Sequence, residues 1–257
     1  MSADQNNIIT SRDNAKLKLA RAVRDGREAG LVFVEGVRLV DEAVRSSVEM
    51  THIFVSTDHD LQRRFAESIE LHFVEPKIFR SIADTENPQG LIALVRRPSG
   101  TLEEVATGVT VLLHRVNNPS NLGAVVRTAE AAGVSGLITT TGSADAFSPK
   151  ALRASMGSAF RLPIIEGIHF DDAITWARER GLVSTAADIS GKLSYLDLDW
   201  TVSRLVVFGS EAHGLDDREL ASIDEKILIP MENEVESLNL AVSSGIILFE
   251  AKRQRTG

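Results

Sequence analysis

From residue 109 onward, short apolar runs alternate with helix-like stretches, and no other feature restricts the possible folds as strongly. The runs are Thr110–His114, Gly136–Thr140, Leu162–Ile165, Leu182–Ala186, Arg204–Phe208 and Lys226–Ile229. Polar residues do not alternate with apolar ones inside them, which is the pattern of strands buried on both faces of a parallel sheet. Between them Leu122–Ala132, Pro149–Met156, Asp171–Arg180, Asp216–Ser222 and Leu238–Arg253 carry helical periodicity. Strand–helix alternation of this length predicts an α/β fold with a mostly parallel sheet covered on both faces. In such sheets ligands collect where neighbouring strands end in loops. The runs ending at Phe208 and Ile229 both empty into loops rich in Gly, Glu, Ser and Asn, and the active site is expected there.

The first third of the chain reads as a smaller α/β unit. A helix is expected from Asp13, as its cap, to Arg24, with Leu17, Ala20 and Val23 at helical spacing. Leu31–Val34, His52–Val55, Ile69–Val74 and Leu91–Val95 are expected strands. Helices are expected after Gly36, carrying Val37, Val40, Ala43 and Val44, and over Asp58–Glu67; Asn87–Gly90 is a turn. The division is then 1–97 for the first domain, 98–108 for a linker and 109–257 for the second domain.

Composition removes several function classes. The chain has no cysteine, which excludes disulfides, thiolate metal sites and a cysteine nucleophile. No apolar run reaches the ~18–20 residues that span a bilayer, and Met1–Asn7 has no signal-like apolar core, so a cytoplasmic protein without membrane association is expected. The net charge of −8 argues against indiscriminate polyanion binding. It is unevenly placed: residues 8–97 hold 14 basic and 14 acidic residues, and those from 98 onward hold 14 and 21. A nucleic acid would therefore meet the first domain, where Lys16, Lys18, Arg21, Arg24 and Arg27 share one helical stretch. Such a run is also what a solvated helix face looks like.

Three constellations carry chemistry. Asn117-Asn-Pro-Ser-Asn121 surrounds the start of a helix whose amides attract anionic groups, with Arg127 two turns on. Asn121 stands where an N-cap belongs, and Arg127 has Glu130 at i+3 as a simple ion-pair partner. Gly209-Ser-Glu-Ala-His-Gly214 turns sharply and lets backbone approach a flat ligand. It lacks the spacing of the dinucleotide fingerprint, which makes a nucleotide-binding oxidoreductase a weak alternative. Glu211 reads equally as an exposed acid, and His213 has no second ligand at metal spacing, so no metal is expected. In Ile229-Pro-Met to Gly245, the acids Glu232, Glu234 and Glu236 are expected in solvent. Ser237 is a candidate cap for the last helix. Asn239 falls two residues inside that expected helix and has no capping role there. Ala241, Ser244 and Gly245 form a small-residue patch, and Lys252, Arg253 and Arg255 suit the negative end of the helix dipole.

These blocks, in this order, resemble the three motifs of the SpoU (TrmH-like) 2′-O-ribose RNA methyltransferases of the SPOUT superfamily. The matching residues are Asn118–Ala129, Gly209–Leu215 and Ile229-Pro-Met with Ser237–Ala241, and Arg153-Ala-Ser-Met-Gly157 resembles a further segment. Ser210 and Ala212 stand where the family usually has Asn and Gly. The first domain, through Val34-Glu-Gly36 and Pro88-Gln-Gly90, resembles the family's L30e-like RNA-substrate-binding extension.

The resemblance implies a C-terminal trefoil-knot domain, which sequence rules alone would not suggest. It also implies a homodimer joined through that domain and S-adenosylmethionine as the methyl donor. The cofactor would meet Gly209, Gly214, Ile229, Met231, Leu238 and Asn239, and the catalytic set would be Asn121, Arg127, Glu211, Ser237 and Asn239. The family's usual base would be Arg127. A guanidinium keeps its proton, so a clamp on the adjacent phosphate and on developing alkoxide charge is the physically favoured role. RNA would be positioned by Lys16, Lys18, Arg21 and Arg24, with 23S-type rRNA preferred over tRNA. The rival readings are a tRNA ribose methyltransferase and a non-catalytic RNA-binding or assembly factor of the same fold.

Overall fold

The computed structural model describes residues 8–60, 65, 69–233 and 237–256. In chain order these form β1 (Ile8–Ile9), α1 (Ala15–Arg24), β2 (Leu31–Glu35), α2 (Val37–Arg45), β3 (Met50–Ser56), β4 (Glu70–Val74), α3 (Pro76–Phe79) and β5 (Leu91–Arg96). Then follow β6 (Val109–Leu113), α4 (Pro119–Ala132), β7 (Gly136–Thr140), α5 (Pro149–Ser155), β8 (Ile164–Ile168), α6 (Phe170–Glu179) and β9 (Val183–Ala187). The last elements are β10 (Leu193–Ser194), β11 (Arg204–Phe208), α7 (Asp217–Ala221), β12 (Glu225–Leu228) and α8 (Leu240–Thr256). Most of the helix expected over 58–67, and the acids Glu234 and Glu236, lie outside the described residues. No helix among the described residues is long and apolar enough to cross a membrane.

The chain divides into two compact units, Met1–Pro98 with Phe147–Phe160, and Ser99–Ala146 with Arg161–Gly257. Residues 147–160, which sequence order groups with the second domain, thus pack with the first; α5 lies against β2. The first unit holds a five-stranded sheet of order β1-β4-β3-β5-β2, parallel from β1 to β3 and antiparallel where β5 meets β3 and β2. Leu17, Ala20 and Val23 of α1 pack with Phe33, Phe54 and Leu94 on one face of that sheet. The α1 cap is Asn14, whose side chain accepts from the Lys16 amide, so the helix begins one residue later than a cap at Asp13 would place it. In α2, Leu39, Val40 and Ala43 are buried, whereas Val37 is exposed.

The second unit is a seven-stranded sheet of order β10-β12-β9-β11-β6-β7-β8, and each pairing in it is parallel. β6, β7 and β11 are buried along their whole length, as uniformly apolar runs require. Four of its seven strands, β12, β9, β11 and β6, are consecutive across the sheet, so their carboxyl ends open on one side. The two-residue β10 carries too short an apolar signal to be read from sequence.

Helix starts in this unit differ from expectation, with consequences for the site. α4 begins at Pro119, three residues before Leu122, because proline's fixed φ suits the first helical position. Asn118 is its cap, accepting from the Ser120 amide at 2.9 Å. Asn121 therefore lies within the first turn and does not cap. α8 begins at Leu240, and the Asn239 side chain accepts from the Ala241 amide at 2.9 Å. Asn239 is the capping residue, and neither the cap expected at Ser237 nor a position inside the helix holds. Ser244 is fully buried where α8 packs on α4, and a Cβ on Gly245 would fall 3.8 Å from the Thr128 methyl, an ordinary contact.

Candidate active site

A cleft of about 800 Å³ opens beyond the carboxyl ends of β9, β11 and β12, between them and the starts of α4 and α8. Its walls come from Ala187–Ile189, Phe208–Gly214, Ile227–Ile229, Met231 and Ser237–Leu240, with Asn121 and Ser243. The arrangement follows from topology: parallel strands deliver each following loop to the same edge, where side chains distant in sequence meet.

The β11 loop is shaped by its glycines. Ser210 and Gly214 exchange backbone hydrogen bonds of 3.2 and 2.9 Å, closing a five-residue turn. A Cβ on Gly209 would fall 2.3 Å from the Gly214 carbonyl carbon, so backbone occupies the space that a side chain would need. Gly214 has φ +63°, the left-handed region that glycine enters without strain. The Ser210 hydroxyl accepts from the His213 amide at 3.2 Å, so one of the two residues that depart from the family pattern is used inside the turn.

Asn121, freed from capping, links the site. Its Nδ2 donates to Glu211 Oε1 at 3.0 Å, and its Oδ1 accepts from Asn239 Nδ2 at 3.2 Å. One residue from each of the three sequence blocks thus joins a single hydrogen-bonded chain. Asn239 uses its oxygen as the α8 cap and its nitrogen on Asn121, which fixes the orientation of both amides. Gly209, Gly214, Ile229, Met231, Ser237 and Leu238 line the same cleft. Arg127 does not; it is exposed on α4 and makes no ion pair or hydrogen bond among the described residues. The simple pairing with Glu130 at i+3 is not made; Arg161 holds that carboxylate through its Nε and one terminal nitrogen.

Behind the β11 loop, His114 is buried at the end of β6 and bonds the Phe208 carbonyl through its amide. Its Nε2 lies 2.9 Å from Glu219 Oε1, and its Nδ1 lies 3.1 Å from the Thr140 hydroxyl. The Thr140 oxygen also accepts from the Arg115 amide. Burial pulls the His114 pKa below the usual value, outweighing the opposing pull of Glu219. Glu219 also closes the capping box of α7 with Asp216, so this pair ties the helix after the β11 loop to the strand beside it.

Sequence reasoning missed His114, Glu219 and the loop Asp188–Gly191. That loop carries the same signature as the other two, an apolar run emptying into Asp, Ser and Gly. Gly191 packs there against the end of β12, where a Cβ would fall 2.6 Å from the Ile227 carbonyl carbon, leaving no room for a side chain.

In the first unit, the residues expected to meet RNA have partners of their own. Lys16 Nζ lies 2.6 Å from Glu70, Lys18 Nζ lies 3.6 Å from Asp13, and Arg21 donates to the Arg12 carbonyl. Arg24 is held by Asp25 and by the Ala83 carbonyl and is mostly covered. Lys18, with 59% of its side chain exposed, is the most available of the four.

The model of the SpoU rRNA Methylase family matches residues 108–249, and that of the MRM3-like substrate binding domain matches residues 14–93. The chain is 28% identical to the 23S rRNA (guanosine(2553)-2′-O)-methyltransferase RlmP of Bacillus subtilis, across 95% of this chain and 98% of that protein. It is 29% identical to the 23S rRNA (uridine(2479)-2′-O)-methyltransferase of Streptomyces viridochromogenes, across 96% and 92% respectively. Among solved structures, the AdoMet-bound rRNA methyltransferase from Sinorhizobium meliloti superposes with a TM-score of 0.85 at 29% identity, covering 96% of this chain and 97% of that one.

Proposed function

The chain belongs to the SpoU rRNA methylase family, and from that premise we propose that it transfers a methyl group from S-adenosylmethionine to a ribose 2′-hydroxyl of RNA, with 23S-type rRNA as the substrate. The observation that carries this reading is the hydrogen-bonded chain Glu211–Asn121–Asn239 at the mouth of the cleft. The first turn of α4, the β11 loop and the start of α8, gathered at one edge by the parallel topology, share side-chain contacts there, beside a wall of glycine and apolar residues.

The donor set suits the cofactor. Gly209 and Gly214 present bare backbone, Ile229, Met231 and Leu238 offer apolar surface, and Glu211 and Asp188 put carboxylates near a ligand that carries a positive charge. When bound there, S-adenosylmethionine supplies a methyl group already activated by its sulfonium. The protein's own work is then alignment and charge management. Asn121 and Asn239, immobilised by each other, orient the ribose, and Ser237 and Glu211 complete the polar rim. A guanidinium does not release its proton, so Arg127 acts as a fixed cation that holds the adjacent phosphate and stabilises the developing alkoxide.

Because Arg127 stands outside its own chain's cleft, the reading assigns it to the cleft of a partner in a homodimer. Supporting this, α8 leaves Val242 50% and Phe249 48% exposed on a helix packed against α4, an apolar face that a second copy would cover. The C-terminal segment is read as knotted through the second unit, and the first unit as the RNA platform. Relatives named for 23S rRNA extend over both units, which favours rRNA over tRNA. Mapping ribose methylation in a deletion strain against its parent tests the function. Loss of one 2′-O-methyl site in 23S rRNA is expected; an unchanged rRNA map with a lost tRNA site would move the activity to tRNA, and no change in either would contradict methyl transfer.

A further inference from the structure

In the first unit, β3 and β4 run parallel in a register that sets His52 opposite Glu70 and Phe54 opposite His72. Side chains opposite each other, or two apart along a strand, share one face of a sheet. His52, Glu70 and His72 therefore stand together, and one ligand atom from each lies within 4.8 Å of the others. His52 Nε2 is 3.9 Å from Glu70 Oε1, and His72 Nε2 is 3.6 Å from Glu70 Oε2. Both imidazoles offer the same nitrogen toward one carboxylate.

Three further observations separate this cluster from a chance meeting of polar groups. His72 Nε2 is buried and has no hydrogen-bond partner, a state that costs free energy unless something else satisfies the nitrogen. The His52 ring is oriented from behind, with Thr51 Oγ1 3.0 Å from its Nδ1, the kind of outer support that metal-bound histidines use. The rings also pack on one another: the His52 and His72 rings stack with centroids 5.6 Å apart, and His72 meets Phe54 in a tilted contact at 5.1 Å. Burial holds both imidazoles below their usual pKa, and the neutral form is the one that binds metal.

A cation already sits at the carboxylate. Lys16 Nζ of α1 is 2.6 Å from Glu70 Oε2. We propose that His52, His72 and Glu70 form a binding site for a divalent transition-metal ion of the zinc class, and that the ion displaces the Lys16 ammonium from Glu70 on binding. Two imidazoles and one carboxylate, with a fourth position left to water, match the tetrahedral preference of zinc, and imidazole nitrogen disfavours magnesium and calcium. The site is distinct from the cleft of the second unit and does not rest on the methyl-transfer reading.

The test uses the full-length chain without a polyhistidine tag, stripped with a chelator, then titrated with zinc by calorimetry and with cobalt(II) by visible absorption. One ion per chain is expected, with the absorption of a four-coordinate cobalt site. His72→Asn and Glu70→Gln should each weaken binding by at least about tenfold. Lys16→Met should tighten binding, because the competing cation is gone; a merely structural cluster would give no such gain. Glu70 and Lys16 are surface residues, so those two variants keep the test valid if the histidine variant folds poorly. Absence of binding to the wild type, binding that survives Glu70→Gln unchanged, or weaker binding in Lys16→Met would each overturn the proposal.

Discussion

The two units place polar side chains on different parts of their sheets. In the second unit the site residues stand on loops beyond strand ends, where parallel topology gathers them. In the first unit the cluster of His52, Glu70 and His72 lies within the strands and depends on how β3 and β4 are registered. The difference teaches which sites a sequence can announce. A loop site is written as local motifs, because glycines, caps and prolines must sit in specific places along the chain. A register site is written nowhere locally, since a one-residue slip of β4 would send His72 to the opposite face.

The largest effect that would sharpen this division is expected at Arg127. Arg127→Ala should lower methyl transfer by roughly 10²–10³-fold, the scale of losing one charge-stabilising donor, while leaving cofactor binding by calorimetry unchanged. Arg127→Lys should keep RNA binding yet still lose most transfer; wild-type turnover in that variant would break the assignment.

Next comes Asn239, which does two jobs at once. Asn239→Asp keeps an oxygen for the α8 cap but removes the donor to Asn121. Asn239→Ala loses both, and should cost about 1 kcal/mol in denaturant unfolding through the lost cap. Equal losses of activity in both, with a stability loss only in Ala, would separate the site role from the cap. Equal stability in the two variants would mean that the cap contributes nothing.

Smaller still, Lys18→Ala in the first unit should weaken RNA binding several-fold and reduce the salt dependence by roughly one phosphate contact, without altering cofactor affinity. A change in cofactor affinity instead would erase the functional separation of the units.

The smallest expected effect concerns acid stability. Glu250 is buried on α8, and its pKa is held down to about 2 by Arg253 first and then Gln254. A depressed carboxylate stabilises the fold fully above its ordinary value of 4.5 and loses that contribution as pH falls toward about 2. Arg253 is largely exposed, so the contribution is about 1 kcal/mol. Glu250→Gln should flatten the acid limb of the unfolding profile measured between those values.

Much of the second unit was legible. Gly136–Thr140 and Arg204–Phe208 match their strands to the residue, because each is a short run buried along its whole length. Helix starts were less legible, since Asn118 and Asn121 are equally good caps by type and only Pro119 decides between them. The same ambiguity hid the double use of Asn239. His114 and Glu219 could not be paired from sequence, because more than a hundred residues separate a buried imidazole from the acid that faces it. In the first unit the antiparallel placement of β5 between β3 and β2 follows from pairing, which apolar patterning does not encode.

The most direct test of the account is to incubate the purified chain with methyl-labelled S-adenosylmethionine and 23S rRNA, then digest the RNA with alkali. A 2′-O-methyl group blocks alkaline cleavage at its own linkage, so the account predicts label in an alkali-resistant dinucleotide, formed roughly 10²–10³-fold more slowly with Arg127→Ala. Label released in mononucleotides, which would mark base methylation, or no transfer at all despite cofactor binding, would contradict it.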